Sequence, residues 1–332
     1  MKSILVRIAF PGVLLLCCAA EGQTVATKPG NQTVQAARAA DIDAKDDDGA
    51  TALIEAADDG DLDFVARLLT LGTRVDAKDR HGQTALIEAA SKGELGIVAL
   101  LLAKGANVNA RNNDGATALI WATINYVAAV RKGRDFAYES DDEVHPEVAT
   151  LLLEKGADVE ARNNNGVTAL METAAGGVRL MRLLLDKGAN IEDRDDGGET
   201  VLIMAAGGDN SEGVKILLAR GANVEARDNG GRTPLMSAAA GDSPDNVRLL
   251  LAKGAKLEDK DNDGQTALHW AVLGDGGDIA EASAGDADLV HLLLVRGADI
   301  QAKDKKGRTA LQLAVSHRKT EVVKLLREKG AH

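Results

Sequence analysis

A segment of the form Asp/Asn-x-x-Gly-x-Thr-x-Leu recurs eight times along this 332-residue chain, and its spacing constrains the fold more than any other feature. Its central glycines are Gly49, Gly82, Gly115, Gly166, Gly198, Gly231, Gly264 and Gly307. A second set keeps the same intervals, namely Gly72, Gly105, Gly156, Gly188, Gly221, Gly254, Gly297 and Gly330. All intervals are 32 or 33 residues except one of 51 and one of 43, which fall in the same two copies in both sets. The sequence therefore predicts eight copies of one small unit.

Each unit has the pattern of two helices followed by a turn. In the second unit, Thr84 precedes an Ala- and Leu-rich segment and is suited to cap a helix that Gly93 ends. A second helix is predicted over Ile97–Ala103, with Gly105 ending it in the left-handed conformation that glycine adopts without steric cost. The polar residues 107–115 suit a hairpin turn. The leucines of one unit can be covered only by the next unit, so the units are expected to stack.

These units resemble the ankyrin repeat family. The resemblance is carried by Thr84-Ala-Leu86-Ile-Glu-Ala89, by Leu100-Leu-Leu102 and by Gly105-Ala106-Asn-Val108-Asn-Ala110-Arg, and it extends from about residue 42 to residue 332. It implies an all-α fold, an ankyrin-repeat solenoid of eight helix-turn-helix-hairpin units. The family's Thr-Pro-Leu-His is nearly intact only at Thr233–Met236 and Thr266–His269, so most units are expected to lack the hydrogen bonds of that histidine.

The two long intervals predict insertions in units three and seven, of about 18 and about 10 residues. Both glycine sets lengthen together, so each insertion is expected between the two helices of its unit, projecting from one rim of the stack. Residues 121–132 are expected to extend the first helix of unit three, and Pro146 to start the second. The unit-seven insertion, residues 274–288, is rich in Gly, Ala and Asp and is predicted to be flexible.

The N-terminal residues resemble a secretory signal peptide. Lys2 and Arg7 give a basic start, a short apolar run follows, and small residues precede a predicted cleavage after Ala20. The apolar run is shorter than the roughly 20 residues that a membrane span needs. A lipid-attachment site at Cys17 or Cys18 is the alternative.

We therefore predict a signal peptide at 1–20, a polar linker at 21–33 and an ankyrin-repeat domain at 34–332. The protein is expected to be exported to a periplasm, with secretion as the alternative. Both cysteines would leave with the signal peptide, so the mature chain is expected to be held by apolar packing without disulfides.

Composition and motifs argue against several classes of function. The net charge of −12 disfavours binding to a phosphate backbone, and only seven residues are aromatic, which is few for an ordinary enzyme core. Hydrolase, metalloprotease and phosphate-binding motifs are missing from the sequence, and its histidines have no ligand spacing. We predict no catalytic residues, no cofactor and no metal site. The alternative is a weak calcium site formed in the second insertion by Asp275, Asp278, Glu281, Asp286 and Asp288.

The residue after each Thr-x-Leu-x is the main candidate for partner binding. We call these positions the helix row: Glu55, Glu88, Trp121, Glu172, Met204, Ser237, Trp270 and Leu313. Met204 and Leu313 are interpreted as packing residues, whereas the three glutamates and two tryptophans are predicted to contact a partner. By resemblance to the family, the row lies on the concave face. Tryptophans among polar residues are typical of interface hot spots.

Two further groups complete the predicted partner-binding residues. Arg80 and His81 lie at the tip of the second hairpin, and the hairpin tips change from acidic at the N-terminal end to basic at the C-terminal end. Tyr126, Phe136 and Tyr138 lie in the unit-three insertion close to Trp121 in sequence.

Ankyrin repeats generally bind other proteins, so the resemblance implies a non-catalytic scaffold acting through its concave face and hairpin tips. The partner is expected to be another protein, with no nucleic acid, no membrane span in the mature chain and a monomeric state. Two alternatives remain open. One is an accessory protein for an envelope enzyme, such as a periplasmic peroxide-defence system, and the other is a metal-binding protein that uses the acidic insertions.

Overall fold

The computed structural model describes residues 41–124, 146–208, 210–274 and 284–332, without the side chains of 284–286. These residues form two compact bodies, an N-terminal body of residues 41–124 and 146–164 and a C-terminal body that begins at residue 165. The predicted signal peptide, the linker and most of both predicted insertions lie outside the described residues.

The N-terminal body consists of paired helices. Its helices are α1 (Ala52–Asp58), α2 (Leu62–Leu71), α3 (Ala85–Lys92), α4 (Leu95–Ala103) and α5 (Glu147–Glu154), and residues 118–124 are also helical. The helices of one repeat pack together, as α1 does on α2 and α3 on α4. First helices also pack on first helices and second on second, as α1 does on α3 and α2 on α4. Leu68 and Leu101, which face these contacts, are thereby fully buried.

The C-terminal body continues the same pattern. Its helices are α6 (Ala169–Glu172) with a 3₁₀ turn (Thr173–Ala175), α7 (Val178–Asp186), α8 (Val201–Gly207), α9 (Ser211–Ala219), α10 (Pro234–Ala240), α11 (Pro244–Ala252), α12 (Ala267–Leu273), α13 (Ala284–Val295), α14 (Ala310–Ser316) and α15 (Thr320–Glu328). The first helices α8, α10, α12 and α14 pack in series. No described residue belongs to an extended strand, so the predicted all-α class is confirmed.

The helix ends follow the predicted chemistry. Thr84 caps α3, because its Oγ1 accepts a hydrogen bond from the N–H of Ile87 at 3.3 Å. Gly93 ends α3 with φ +80°, and Gly105 follows α4 with φ +87°. Both are left-handed conformations that favour glycine, so the predicted caps are confirmed.

Two predicted helix starts need adjustment. Helix α4 begins at Leu95 rather than Ile97. Leu95 is 40% exposed whereas Ile97 is only 1% exposed, so the apolar stripe begins one half-turn after the helix does. Pro146 is the residue immediately before α5 rather than a residue inside it.

The core consists of aliphatic side chains. Leu53, Leu86, Leu119 and their counterparts in later repeats are buried, and each buried leucine contributes about 1.5–3 kcal/mol to folding. Paired alanines in the first helices are also buried, as at Ala89 and Ala90, and their small side chains let neighbouring helices approach closely. No helix within the described ranges is long and apolar enough to cross a bilayer.

Candidate protein-binding surface

Successive hairpins are joined by one main-chain hydrogen bond each. In the N-terminal body, the Arg80 N–H donates to the Asp48 carbonyl at 3.1 Å, and the Asn113 N–H donates to the His81 carbonyl at 2.9 Å. The C-terminal body repeats this bond from Asn262 to Gly230 at 2.9 Å. The hairpin tips are therefore fixed to one another through their backbones.

Long basic side chains add a second connection between hairpins. Lys45 Nζ donates to the Lys78 carbonyl at 2.6 Å, and Lys78 Nζ donates to the Arg111 carbonyl at 2.6 Å. Lys260 makes the same contact with the Lys303 carbonyl at 2.9 Å. These exposed cations thus connect neighbouring hairpins.

Asparagine side chains at the hairpin tips also connect neighbouring hairpins. The Nδ2 of Asn113 donates to the Arg80 carbonyl at 2.8 Å, and the Nδ2 of Asn262 donates to the Asn229 carbonyl at 2.9 Å. Arg80 and His81, by contrast, are both exposed. Their side chains are therefore open to solvent at the second tip.

Each hairpin begins with an aspartate or asparagine, and in the seventh repeat this residue contacts the helix row. In the seventh repeat, Asp261 Oδ1 accepts hydrogen bonds from the N–H groups of Asp263 and Gln265 at 2.9 and 2.8 Å. Its other oxygen, Oδ2, accepts from the Nε1 of Trp270 at 2.9 Å. The hairpin residue and the row residue nine positions later thus form a pair.

Trp270 is held on two sides by its own chain. Besides the bond to Asp261, the guanidinium carbon of Arg232 lies 4.2 Å from the centre of a Trp270 ring, which is within the range of a cation–π interaction. The side chain is partly buried. Its hydrogen-bond donor and one ring face are therefore already occupied.

Trp121 occupies the same row position but has no such bond. Its Nε1 is buried and has no hydrogen-bond partner among the described residues. The paired hairpin residue is Asn112, whose Oδ1 accepts from the Ala116 N–H at 2.8 Å, as the aspartates do in other repeats. The remaining polar atom of an asparagine is an amide nitrogen, which cannot accept a hydrogen bond. Asn112 thus offers the Trp121 N–H no acceptor.

The glutamates of the row have raised pKa values. The pKa of Glu55 is raised to about 7, first by burial and then by the nearby carboxyl groups of Asp46 and Asp59. The pKa of Glu88 is also raised, by burial first and then by Asp58 and Asp79, while Lys92 and Gln83 lower it.

In the C-terminal body, burial alone raises the pKa of Glu172. All three glutamates of the row are half-buried. Their carboxylates are therefore partly desolvated, which strengthens their attraction to any cationic group that reaches them.

The structure places the predicted contacts of the helix row but not those of the unit-three insertion. Glu55, Glu88 and Trp121 lie at equivalent positions on successive first helices of the N-terminal body, and Glu172 and Trp270 lie on first helices of the C-terminal body. Tyr126, Phe136 and Tyr138 lie outside the described residues. Leu313 is fully buried, as its interpretation as a packing residue requires, and Met204 is half-buried.

The hairpin partners Asp46, Asp79, Asn112 and Asp261 were not predicted as part of the site. Their constant separation of nine residues from the row was visible in the sequence. That spacing alone does not show which carboxylate oxygen faces the helix, so the contact emerged only from the structure.

His269 makes the hydrogen bonds that are expected of the histidine in the family's Thr-Pro-Leu-His. The Nδ1 of His269 accepts from the Thr266 N–H at 3.2 Å, and its Nε2 lies 3.2 Å from the Arg308 carbonyl of the next repeat. A carbonyl only accepts, so the proton lies on Nε2. Burial lowers the pKa of His269. The neutral ring therefore joins two repeats.

The metal alternative stays a prediction. Asp275, Asp278 and Glu281 lie outside the described residues, as does the side chain of Asp286. Within the ranges that the structure does describe, no group of three or more His, Cys, Asp or Glu side chains is arranged to hold a metal ion.

The helix pairs, the glycine caps and the bonded hairpins together define a repeat protein built from one stacked module. The family model for ankyrin repeats matches residues 23–112, 82–132, 137–228, 225–282 and 278–332. The chain therefore belongs to the ankyrin repeat family. No curated protein matches this sequence.

Proposed function

We propose that this protein is a non-catalytic scaffold that binds a protein partner through the helix row of its N-terminal body. Ankyrin repeats are generally protein-interaction scaffolds, and the chain belongs to that family. The observation that carries the proposal is the alignment of Glu55, Glu88 and Trp121 on successive first helices, each half-buried and polar or aromatic. A large aromatic ring beside partly desolvated charges is the composition of an interface hot spot.

The two tryptophans of the row are expected to differ in this role. Trp270 uses its N–H and one ring face within the chain, whereas Trp121 is half-buried and adjoins the acidic row residue Glu88 of the preceding repeat. We therefore place the principal aromatic contact at Trp121, with the insertion residues Tyr126, Phe136 and Tyr138 beside it in sequence. Arg80 and His81 supply the adjoining contact at the hairpin tip, and the row forms the concave face.

A site-specific photocrosslinker tests this surface. Placed at Glu88, it should capture a discrete protein partner in envelope extract, whereas the same group at Arg67, which is exposed on α2, should not. Trp121→Ala should weaken capture about 30-fold, the loss expected on truncating a hot-spot residue. Equal capture at both positions would contradict the proposal.

The contribution of the unit-three insertion is tested separately. Deleting residues 124 to 141 should abolish capture and leave the helical melting transition largely unchanged. Capture that persists after the deletion would leave the helix row alone as the contact surface.

Export, the monomeric state and the absence of a nucleic acid partner belong to the same proposal. The basic and apolar N-terminal residues support export to a periplasm, and the net charge of −12 supports the absence of a nucleic acid partner. N-terminal sequencing of the protein from an envelope fraction should begin at Glu21. Recovery only from the cytoplasmic fraction with Met1 intact would overturn the export proposal, and light scattering measures the oligomeric state.

A further inference from the structure

Asparagine side chains at the hairpin tips form one repeated contact whose chemistry differs at a single member. We call these residues the linking asparagines, and the Nδ2 of each donates to a main-chain carbonyl of the preceding hairpin at 2.8 or 2.9 Å: Asn113, Asn164, Asn229 and Asn262. The contact is the same in all of them, but the residue that follows is not. Among the linking asparagines, only Asn229 precedes a glycine, Gly230.

Asn229 joins its own hairpin, the sixth, to both neighbouring hairpins. Its Nδ2 donates to the Asp196 carbonyl and its main-chain N–H to the Gly197 carbonyl, both at 2.9 Å. Its own carbonyl accepts from the Nδ2 of Asn262 in the seventh hairpin at 2.9 Å. The carboxamide also lies against the backbone of Gly198, where a Cβ would collide with Asn229 Oδ1. A covalent change at Asn229 would therefore affect two junctions between hairpins.

Gly230 makes such a change chemically accessible. The side-chain carbonyl carbon of an asparagine can be attacked by the main-chain nitrogen of the next residue, and the side chain of that next residue is the main steric obstacle. Gly230 has no side chain, and both Asn229 and Gly230 are exposed to water. In the seventh hairpin, Asn262 is equally exposed and makes the same bond, but Asp263 follows it. The chain thus contains a matched comparison for the effect of the glycine.

We propose that Asn229 is a site of spontaneous deamidation. The main-chain nitrogen of Gly230 forms a bond to Cγ of Asn229 as the bond from Cγ to Nδ2 breaks, and the proton of the Gly230 N–H leaves with the amide nitrogen as ammonia. Water then opens the resulting succinimide ring at either of its carbonyl carbons. One opening gives aspartate, and the other gives isoaspartate, in which the main chain runs through the former side chain. In total, one water is consumed and one ammonia is released.

The hydrogen bonds of Asn229 control the rate of this reaction. While Nδ2 is bonded to the Asp196 carbonyl, the carboxamide is held towards the fifth hairpin and is not free to turn towards the Gly230 nitrogen. The attack therefore proceeds from states in which the junction has opened locally. Deamidation at this position accumulates with the time that the junction spends open.

The products weaken the junctions of the sixth hairpin. A carboxylate has no donor, so the bond to the Asp196 carbonyl is lost. Asp196 illustrates the aspartate product, because it occupies the equivalent place in the fifth hairpin and donates its main-chain N–H to the Asn165 carbonyl at 3.0 Å. In isoaspartate, the carbonyl that accepts from Asn262 becomes part of a side-chain carboxylate, and the main chain gains a methylene. These effects do not depend on whether the helix row binds a partner.

The test follows the linking asparagines of the full-length purified protein by peptide-mapping mass spectrometry during incubation at pH 8. Asn229 should gain about one dalton, and it should do so about tenfold faster than Asn262. Gly230→Asp reproduces the Asn262-Asp263 pair and should slow the conversion of Asn229 about tenfold. The conversion should also be slower at pH 6, because the attacking nitrogen must lose its proton.

The effect on the junction is measured with Asn229→Asp, which has the aspartate product in place from the start. After correction for the intrinsic rates, the main-chain amide of residue 229 should exchange its hydrogen about fivefold faster than in the native protein, the factor expected for one lost hydrogen bond. The Lys305 amide, which donates to the Asp263 carbonyl at 2.8 Å in another junction, is the control and should exchange at the native rate.

Three results would overturn the proposal. They are a conversion of Asn229 that is no faster than that of Asn262, a conversion that Gly230→Asp leaves unchanged, and equal exchange at residue 229 in Asn229→Asp and the native protein. Far-UV circular dichroism monitors folding. If a variant fails to fold, the comparison of Asn229 with Asn262 within the native protein decides by itself.

Discussion

The Nε1 of Trp270 donates a hydrogen bond to the Oδ2 of Asp261 at 2.9 Å, across nine residues of the chain. The equivalent tryptophan of the third repeat, Trp121, has a buried N–H with no partner among the described residues, because its hairpin residue is Asn112. For these two tryptophans, the hairpin residue therefore decides whether the N–H has an acceptor in its own repeat. Four predictions follow from this pair and from two other contacts between repeats.

Asn112→Asp should stabilise the protein. The substitution keeps the turn bond to the Ala116 N–H and places a carboxylate oxygen where the amide nitrogen now lies. A buried N–H without an acceptor costs about 1–3 kcal/mol, so the free energy of unfolding in urea should rise by about 1 kcal/mol after the cost of burying the new charge. A fall of similar size would show that the Trp121 N–H does not face this atom.

Asp261→Asn should destabilise the protein by about 1–3 kcal/mol, because it removes the acceptor of the Trp270 N–H. The matched control is Asp195→Asn, in which the turn bond to the Glu199 N–H is kept and the row residue is Met204. A methionine has no donor to lose, so the control should change stability little. Urea unfolding measures both variants, and equal losses would refute the pairing.

His269→Gln should show a pH-dependent loss of stability. Gln312 already caps α14 at the same position, with its Oε1 accepting from the Thr309 N–H at 3.0 Å, so the cap should survive while the bond to the Arg308 carbonyl is lost. At pH 8 the variant should be about 1 kcal/mol less stable.

The difference should shrink as the pH falls, since the pKa of His269 lies below its usual value of 6.5 in the folded protein. The histidine's contribution is present above pH 6.5 and is lost as the pH falls through the lowered pKa. Thermal melts of both proteins at pH 8 and pH 5 measure it. A difference that is constant with pH would exclude the neutral ring as the stabilising form.

Gly241→Ala should destabilise the protein by about 3 kcal/mol or more. A Cβ at Gly241 would lie only 2.0 Å from the Gly207 carbonyl oxygen, so the backbones of neighbouring repeats would have to separate. Gly207→Ala is the control, because its Cβ would meet the Ser237 carbonyl oxygen at an ordinary 3.6 Å. Calorimetry should find the control close to the native protein. Comparable melting temperatures for both variants would contradict the close approach.

The regular part of this fold was predictable because it depends on local backbone chemistry. Glycines such as Gly105 end helices in a conformation that other residues rarely adopt, so their positions alone located the helix ends. The start of α4 was placed two residues late because Leu95 is exposed and lies outside the apolar stripe from which the helix was inferred.

The candidate site was only half predictable. The row residues Glu55 and Trp121 were found from their repeat position, since side chains at equivalent positions share a face. The role of Asp261 and Asn112 depends on which atom of a branched polar group points at the helix, and a sequence pattern carries no such information. The hydrogen bond from Asn113 to the preceding hairpin was not predictable for the same reason.

The links between hairpins have a mechanical consequence. Each of them, such as Lys45 to the Lys78 carbonyl, spans a single joint and shares no atom with the link at the next joint. A pulling force that separates two successive hairpins therefore breaks only the bonds between those two and leaves the neighbouring bonds intact. Extension of the hairpin edge would then proceed in discrete steps rather than by a single rupture. Such an edge can open locally and close again while the helices of the other repeats stay packed.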